Sequence, residues 1–196
     1  MAETDINVYK DLIVITNRSL VKGDYLEKLR EVMMLHPCAC ILREKDLSDD
    51  EYSELAERVQ DICFEYDVPF FVHGHPDTAL EIGCRNIHLP VWAVMSADKK
   101  ALKEDFDRIS VSCHSVEDVE KALFCGATQI VLGTIYETEC KKGLKGRGTD
   151  FVKEVCDMCP VPVYAIGGIT PENLKDVMDS GAAGGCMMSG FMCYSA

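Results

Sequence analysis

The sequence predicts a single (β/α)8 barrel. Three observations carry that expectation. Short apolar runs alternate with amphipathic helical runs from end to end, the pattern repeats eight times, and no Gly-x-Gly-x-x-Gly follows the first run. Strand, helix and strand in succession make a right-handed parallel βαβ unit. Eight units close into a barrel, whereas the missing glycine fingerprint speaks against a doubly wound open sheet. The chain has 196 residues. Each unit therefore averages about 25 residues, near the short limit for this architecture.

The strand candidates are 12–16, 39–42, 69–72, 86–89, 109–112, 129–132, 163–166 and 185–188. They are short, apolar and often β-branched, as strands buried on both faces should be. The helices between them have readable ends. Ser48-Asp49-Asp50-Glu51 is a capping-box pattern. Behind it Tyr52, Leu55, Val59, Ile62 and Tyr66 fall on one helical face. Ser115 caps a helix bearing Val119, Ala122 and Leu123, which Gly126 ends. Thr170-Pro171 reads as an N-cap followed by proline at the first helical position, with Gly181 closing that helix. No linker or composition break divides the chain, so residues 1–196 are expected to form one TIM-barrel domain. The chain stops just after the eighth strand, so the last helix must be short or missing. Such a gap would expose apolar barrel surface, which the second copy in a homodimer would cover.

Composition narrows the partners. The formal net charge is −13, with 33 acidic against 20 basic residues. Nucleic acid and anionic membrane surfaces are excluded as general partners, because both need basic surface. No run is long and apolar enough to cross a bilayer. The N-terminus lacks an export pattern, so a cytoplasmic location with reduced thiols is expected for the 11 cysteines.

In a barrel, chemistry sits where strands end. Ile166-Gly167-Gly168-Ile169-Thr170 follows the seventh strand and Ser189-Gly190 follows the eighth. Glycines let backbone amides approach a phosphate, and this fold often builds its phosphate site from these two loops. The longest loop follows the sixth strand, and four basic residues lie within 141–147. It reads equally as a ligand-covering lid or a solvated surface loop. Ser112-Cys113-His114-Ser115 ends the fifth strand. Alternation puts Ser112 and His114 on one side, with His114 at the barrel mouth. A neutral imidazole there can take and return a proton near pH 7. Arg43-Glu44-Lys45 ends the second strand, His73-Gly74-His75 ends the third, and His88 lies in the fourth. His73, His88 and His114 lack close ligand spacing, so no metal site is expected. Cys156-Asp157-Met158-Cys159 has no second pair to complete a zinc site and reads as packing thiols.

Together these landmarks resemble the thiamine phosphate synthase superfamily. The matching stretches are Val14-Ile15-Thr16-Asn17, Leu42-Arg43-Glu44-Lys45, His88-Leu89, Val111-Ser112-Cys113-His114-Ser115 and Ala165-Ile166-Gly167-Gly168-Ile169-Thr170-Pro171-Glu172. The loop from Glu137 through Thr138 to Gly148 is similar to that of the TenI branch, the thiazole tautomerases. Synthases of the superfamily carry Asn-Asp after the third strand and Gly-Gln-x-Asp after His-Leu, acids that hold magnesium. Here those places hold His73-Gly74 and Pro90-Val91-Trp92-Ala93.

The resemblance therefore implies a tautomerase that aromatises a carboxylated dihydrothiazole phosphate, with no cofactor and no metal. By resemblance His114 is the acid/base, and Gly167, Gly168, Ser189 and Gly190 hold the phosphate. Arg43, Lys45, Thr138, Lys141 and Lys142 are the expected substrate-binding residues. Two alternatives stand beside it. One is a thiamine phosphate synthase joining a pyrimidine pyrophosphate to thiazole phosphate, and the other is a non-catalytic barrel that binds thiamine intermediates.

Overall fold

A computed structural model describes residues 6–138 and 145–194. Eight parallel strands close in sequence order, each hydrogen-bonded to the next and β8 back to β1. They are β1 Leu12–Ile15, β2 Ala39–Leu42, β3 Phe70–His73, β4 Asn86–Pro90, β5 Arg108–Cys113, β6 Gln129–Gly133, β7 Val163–Ile166 and β8 Gly184–Met187. The helices around them are α1 Tyr25–Met33, α2 Asp49–Glu65, α3 Pro76–Glu81, α4 Val91–Ser96, α5 Lys99–Asp105, α6 Val116–Cys125, α7 Gly148–Met158, α8 Leu174–Asp179 and α9 Ser189–Met192. This is the TIM-barrel architecture.

The strand period of two separates the two faces of the wall. Ile13, Ile15, Ala39, Ile41, Phe71, Val131 and Cys186 point inward and form one buried cluster. The alternate residues face outward and pack with the helices in a second, larger cluster. The inner wall of β4 and β5 is polar instead, and the polarity continues to Gln129 at the start of β6. There the register sets His88 beside Ser110, and Ser110 beside Gln129.

The helix ends follow local chemistry. Ser48 and Glu51 form the reciprocal capping box that starts α2. Ser115 caps α6, and Gly126 closes it at φ +96°. The helix after β7 differs from expectation. It starts at Leu174 with Asn173 as cap, not at Pro171. The Asn173 side chain turns back along the loop and makes no capping bond to α8: its Oδ1 accepts from Thr170 N at 2.8 Å, and its Nδ2 donates to Gly168 O at 2.8 Å. That pair holds 170–173 as a turn.

The last helix is short, as expected, but the apolar gap does not follow. Phe191 and Met192 of α9 are buried. Tyr9, from the 3-10 turn Ile6–Asp11 before β1, packs on Phe191 at 5.8 Å between ring centroids. Lys28 of α1 donates to Tyr194 O at 3.0 Å. Chain before the first strand thus helps cover the seam, which removes the stated reason for a dimer there.

Candidate active site

His114 is the first residue after β5 and is exposed at the barrel rim. Its main chain is fixed by the start of α6, where Asp118 Oδ2 accepts from His114 N at 2.8 Å. Its Nδ1 lies 2.6 Å from Gly133 O at the end of β6. A carbonyl only accepts, so Nδ1 donates and the neutral ring keeps its lone pair on Nε2. Arg147, just before α7, donates from Nη1 to His114 O at 2.7 Å. The same guanidinium lies 3.4 Å over the Phe151 ring. The imidazole is therefore held from the end of β6, and the His114 main chain from α6 and the start of α7.

The end of β2 divides its charges by alternation. Glu44 is buried. It accepts from Thr16 Oγ1 at 2.8 Å, from Arg18 N at 3.1 Å and from Tyr25 Oη at 3.3 Å. The carboxylate ties the β1 loop and α1 to β2. Arg43 is half-buried and Lys45 exposed, and neither forms an ion pair among the described residues. Unpaired cations at a strand end attract an anion.

His73 and His88 stack inside the wall with centroids 5.2 Å apart. Burial, reinforced by Arg43 and Lys45, pushes His73 down to about 4. Burial, with His73 and Arg43 beside it, also holds His88 well below the usual imidazole range. Both rings are neutral at pH 7. His88 Nδ1 is 2.8 Å from Ser110 Oγ, and Nε2 is 2.7 Å from Ser112 Oγ. Gln129 Nε2 donates to Ser110 Oγ at 3.0 Å.

The glycine loops lie together for a packing reason. Ile135 N and Tyr136 N, after β6, donate to Ile166 O and Gly167 O, each at 2.9 Å. Gly167 and Gly168 have φ +103° and +64°. A Cβ on Gly168 would sit 2.8 Å from Glu137 O and from Tyr136 Cβ. Both conformation and crowding require glycine there. A Cβ on Gly190 would collide with Met187. Among the described residues, the amides of Gly168, Ser189 and Gly190 have no hydrogen-bond partner.

A barrel with this rim matches a known family along most of its length. The sequence profile described as thiamine monophosphate synthase matches residues 12–191. The chain belongs to the thiamine monophosphate synthase family. It is 30% identical over 184 residues to the thiamine-phosphate synthase of Clostridium tetani, covering 91% of this chain and 86% of that one. The thiamine-phosphate synthase of Clostridium novyi is also 30% identical, over 190 residues, covering 96% and 92%. Among solved structures, thiamine phosphate pyrophosphorylase from Pyrococcus furiosus superimposes with a TM-score of 0.81 at 25% identity, covering 97% and 91%.

The family's thiamine monophosphate chemistry invites a divalent cation, but the ends of β3 and β4 do not suit magnesium. That ion takes hard oxygen ligands, usually carboxylates. His73 and Pro90 close these strands, with cationic Arg43 beside His73. The nearby Asp46 is engaged by Arg18 at 2.7 Å.

Of the residues singled out in the sequence, His114, Arg43, Lys45, Gly167, Gly168, Ser189 and Gly190 all lie at the strand-end rim. Thr138 is half-buried beyond β6. Lys141 and Lys142, and with them most of the basic loop, lie outside the described residues. Ten cysteines among the described residues are free thiols, including Cys156 and Cys159. Sequence reasoning missed Arg147, whose contact is to a main-chain oxygen 33 positions away. It also missed the Ser112–His88–Ser110–Gln129 chain, although strand alternation places all four inward.

Proposed function

We propose that this chain is an enzyme of thiamine biosynthesis, a thiazole tautomerase of the TenI type. The observation that supports it most is the Nδ1–Gly133 O hydrogen bond of His114, which leaves Nε2 as the base at the rim. In this reading Nε2 takes the proton from ring carbon 2 of a carboxylated dihydrothiazole phosphate. It then returns a proton to the exocyclic carbon, and aromatisation drives the reaction forward. Gly167, Gly168, Ser189 and Gly190 offer amides to the phosphate. Arg43 and Lys45, with Thr138, Lys141 and Lys142 from the β6 loop, receive the carboxylate and offset charge developing at carbon 2. No step calls for a cofactor or metal.

The names of the relatives favour a second reading, thiamine-phosphate synthase. It asks the rim to stabilise a departing pyrophosphate, for which the ends of β3 and β4 supply no carboxylates. The deciding experiment compares two reactions on one preparation. The tautomerase reading expects magnesium-independent conversion of the dihydrothiazole phosphate. Magnesium-dependent pyrophosphate release from a pyrimidine pyrophosphate and thiazole phosphate, with no tautomerisation, would decide for the synthase.

A further inference from the structure

Ser110 is fully buried and His88 is 3% exposed. The Ser110 hydroxyl and both His88 ring nitrogens must therefore find their partners within the Gln129–Ser110–His88–Ser112 chain, whose half-buried ends reach toward solvent. Proton counting fixes the direction. The Gln129 amide nitrogen donates to Ser110 Oγ. If His88 Nδ1 also donated to Ser110, that hydroxyl would accept twice and its own proton would face no acceptor. A buried hydroxyl with no acceptor forfeits the hydrogen bond it makes to water in the unfolded chain. The satisfied arrangement has Ser110 donating to Nδ1, and Nε2–H donating to Ser112 Oγ. Ser112 then has its O–H left over. Ser112 is half-buried, two residues before His114 on the same face of β5, and among the described residues its hydroxyl contacts only His88.

We infer that Gln129, Ser110 and His88 are positioning residues, a one-way hydrogen-bond chain that presents the Ser112 hydroxyl as a donor to a carboxylate oxygen of the bound substrate. This deepens the tautomerase reading and rests on it for the identity of the acceptor. When Nε2 of His114 removes the carbon 2 proton, charge spreads onto the attached carboxylate. A donor already turned toward that oxygen strengthens its hydrogen bond as the charge grows. A serine free to turn would offer a lone pair part of the time.

The test reverses the chain by one atom. Gln129→Glu replaces the amide donor with an acceptor. Ser110 must then donate to the new carboxylate and accept from His88 Nδ1–H, so Ser112 donates to Nε2 and turns its lone pairs toward the ligand. Nitrogen-15 NMR of labelled histidine reads the tautomer without any ligand, and the chain has only five histidines to assign. Wild type is expected to show His88 protonated on Nε2, and Gln129→Glu to show it protonated on Nδ1. Ser112→Ala and Gln129→Glu should each lower kcat roughly tenfold or more with KM little changed, the loss expected for a hydrogen bond to a charged group. Ser112→Thr should restore most of kcat. Gln129→Met, which removes the donor without adding charge, should lower kcat less than Gln129→Glu and serves if the latter fails to fold. A wild-type His88 protonated on Nδ1 would overturn the chain. So would unchanged kcat in both Gln129 variants. An Nε2-protonated His88 in a protein with no tautomerase activity would sink the proposed function and the carboxylate acceptor with it, leaving the chain's direction standing.

Discussion

In the proposed reaction His114 acts through the ring nitrogen that its neighbours leave unoccupied. Gly133 O takes the proton of Nδ1, so His114→Asn is expected to keep ligand affinity and lower turnover by about 10²–10⁴-fold. Isothermal titration with product, alongside initial rates, separates the two effects. Arg43 should behave in the opposite way. With no ion pair of its own among the described residues, its charge is available to the ligand. Arg43→Met should weaken product binding roughly 10- to 100-fold, as for loss of a charged hydrogen bond, measured by the same titration. The sequence placed both residues, because the end of an apolar strand run marks the rim. It did not reveal Arg147, whose guanidinium works through a carbonyl oxygen that every residue type shares.

At the scale of elements, helix starts were legible where one side chain decides them. Ser48 and Glu51 satisfy each other's orphan donors at the start of α2. Ser48→Ala should cost about 1 kcal/mol, read as a lower urea midpoint at unchanged m-value. The start of α8 was misplaced because 170–173 form a turn before the helix begins. Thr170-Pro171 has the local pattern, but Asn173 reaches both Thr170 N and Gly168 O. Strand ends differ from the sequence reading by at most one residue or so, since buried parallel strands fade into their loops without a change of polarity. Gly168 is the loop position where fold and proposed phosphate site meet. Gly168→Ala meets both the positive φ and the Glu137 and Tyr136 contacts. It is expected to lower the melting temperature and phosphate affinity together, by thermal unfolding with and without inorganic phosphate.

Across the whole molecule, eightfold repetition made the barrel legible, but the covering of its seam was not. Tyr9 and Phe191 meet across nearly the full length of the chain, a separation that no local pattern encodes. The largest exposed apolar side chains lie instead on α2, α4 and α6, at Phe64, Trp92 and Phe124. The polar interior of the barrel also carries a cost in acid. His73 has its proton affinity lowered from the usual 6.5 to about 4 in the folded chain. Between those values the unfolded chain binds more protons at this residue, so the His73 contribution to stability falls as pH drops from 6.5 to about 4 and levels off below. His73 alone accounts for about 3 kcal/mol of that loss, and His88 adds to it in the same direction. Urea unfolding across this range should show the decline, and His73→Leu should make it shallower.

The proposed reaction needs only a metal-free rim that moves a proton on a phosphorylated, carboxylated dihydrothiazole. The rate at which purified protein aromatises that compound in chelator, measured beside His114→Asn, tests it. Full turnover in chelator, lost in the variant, is expected. Turnover that requires magnesium, or that survives in His114→Asn, would rule the reaction out.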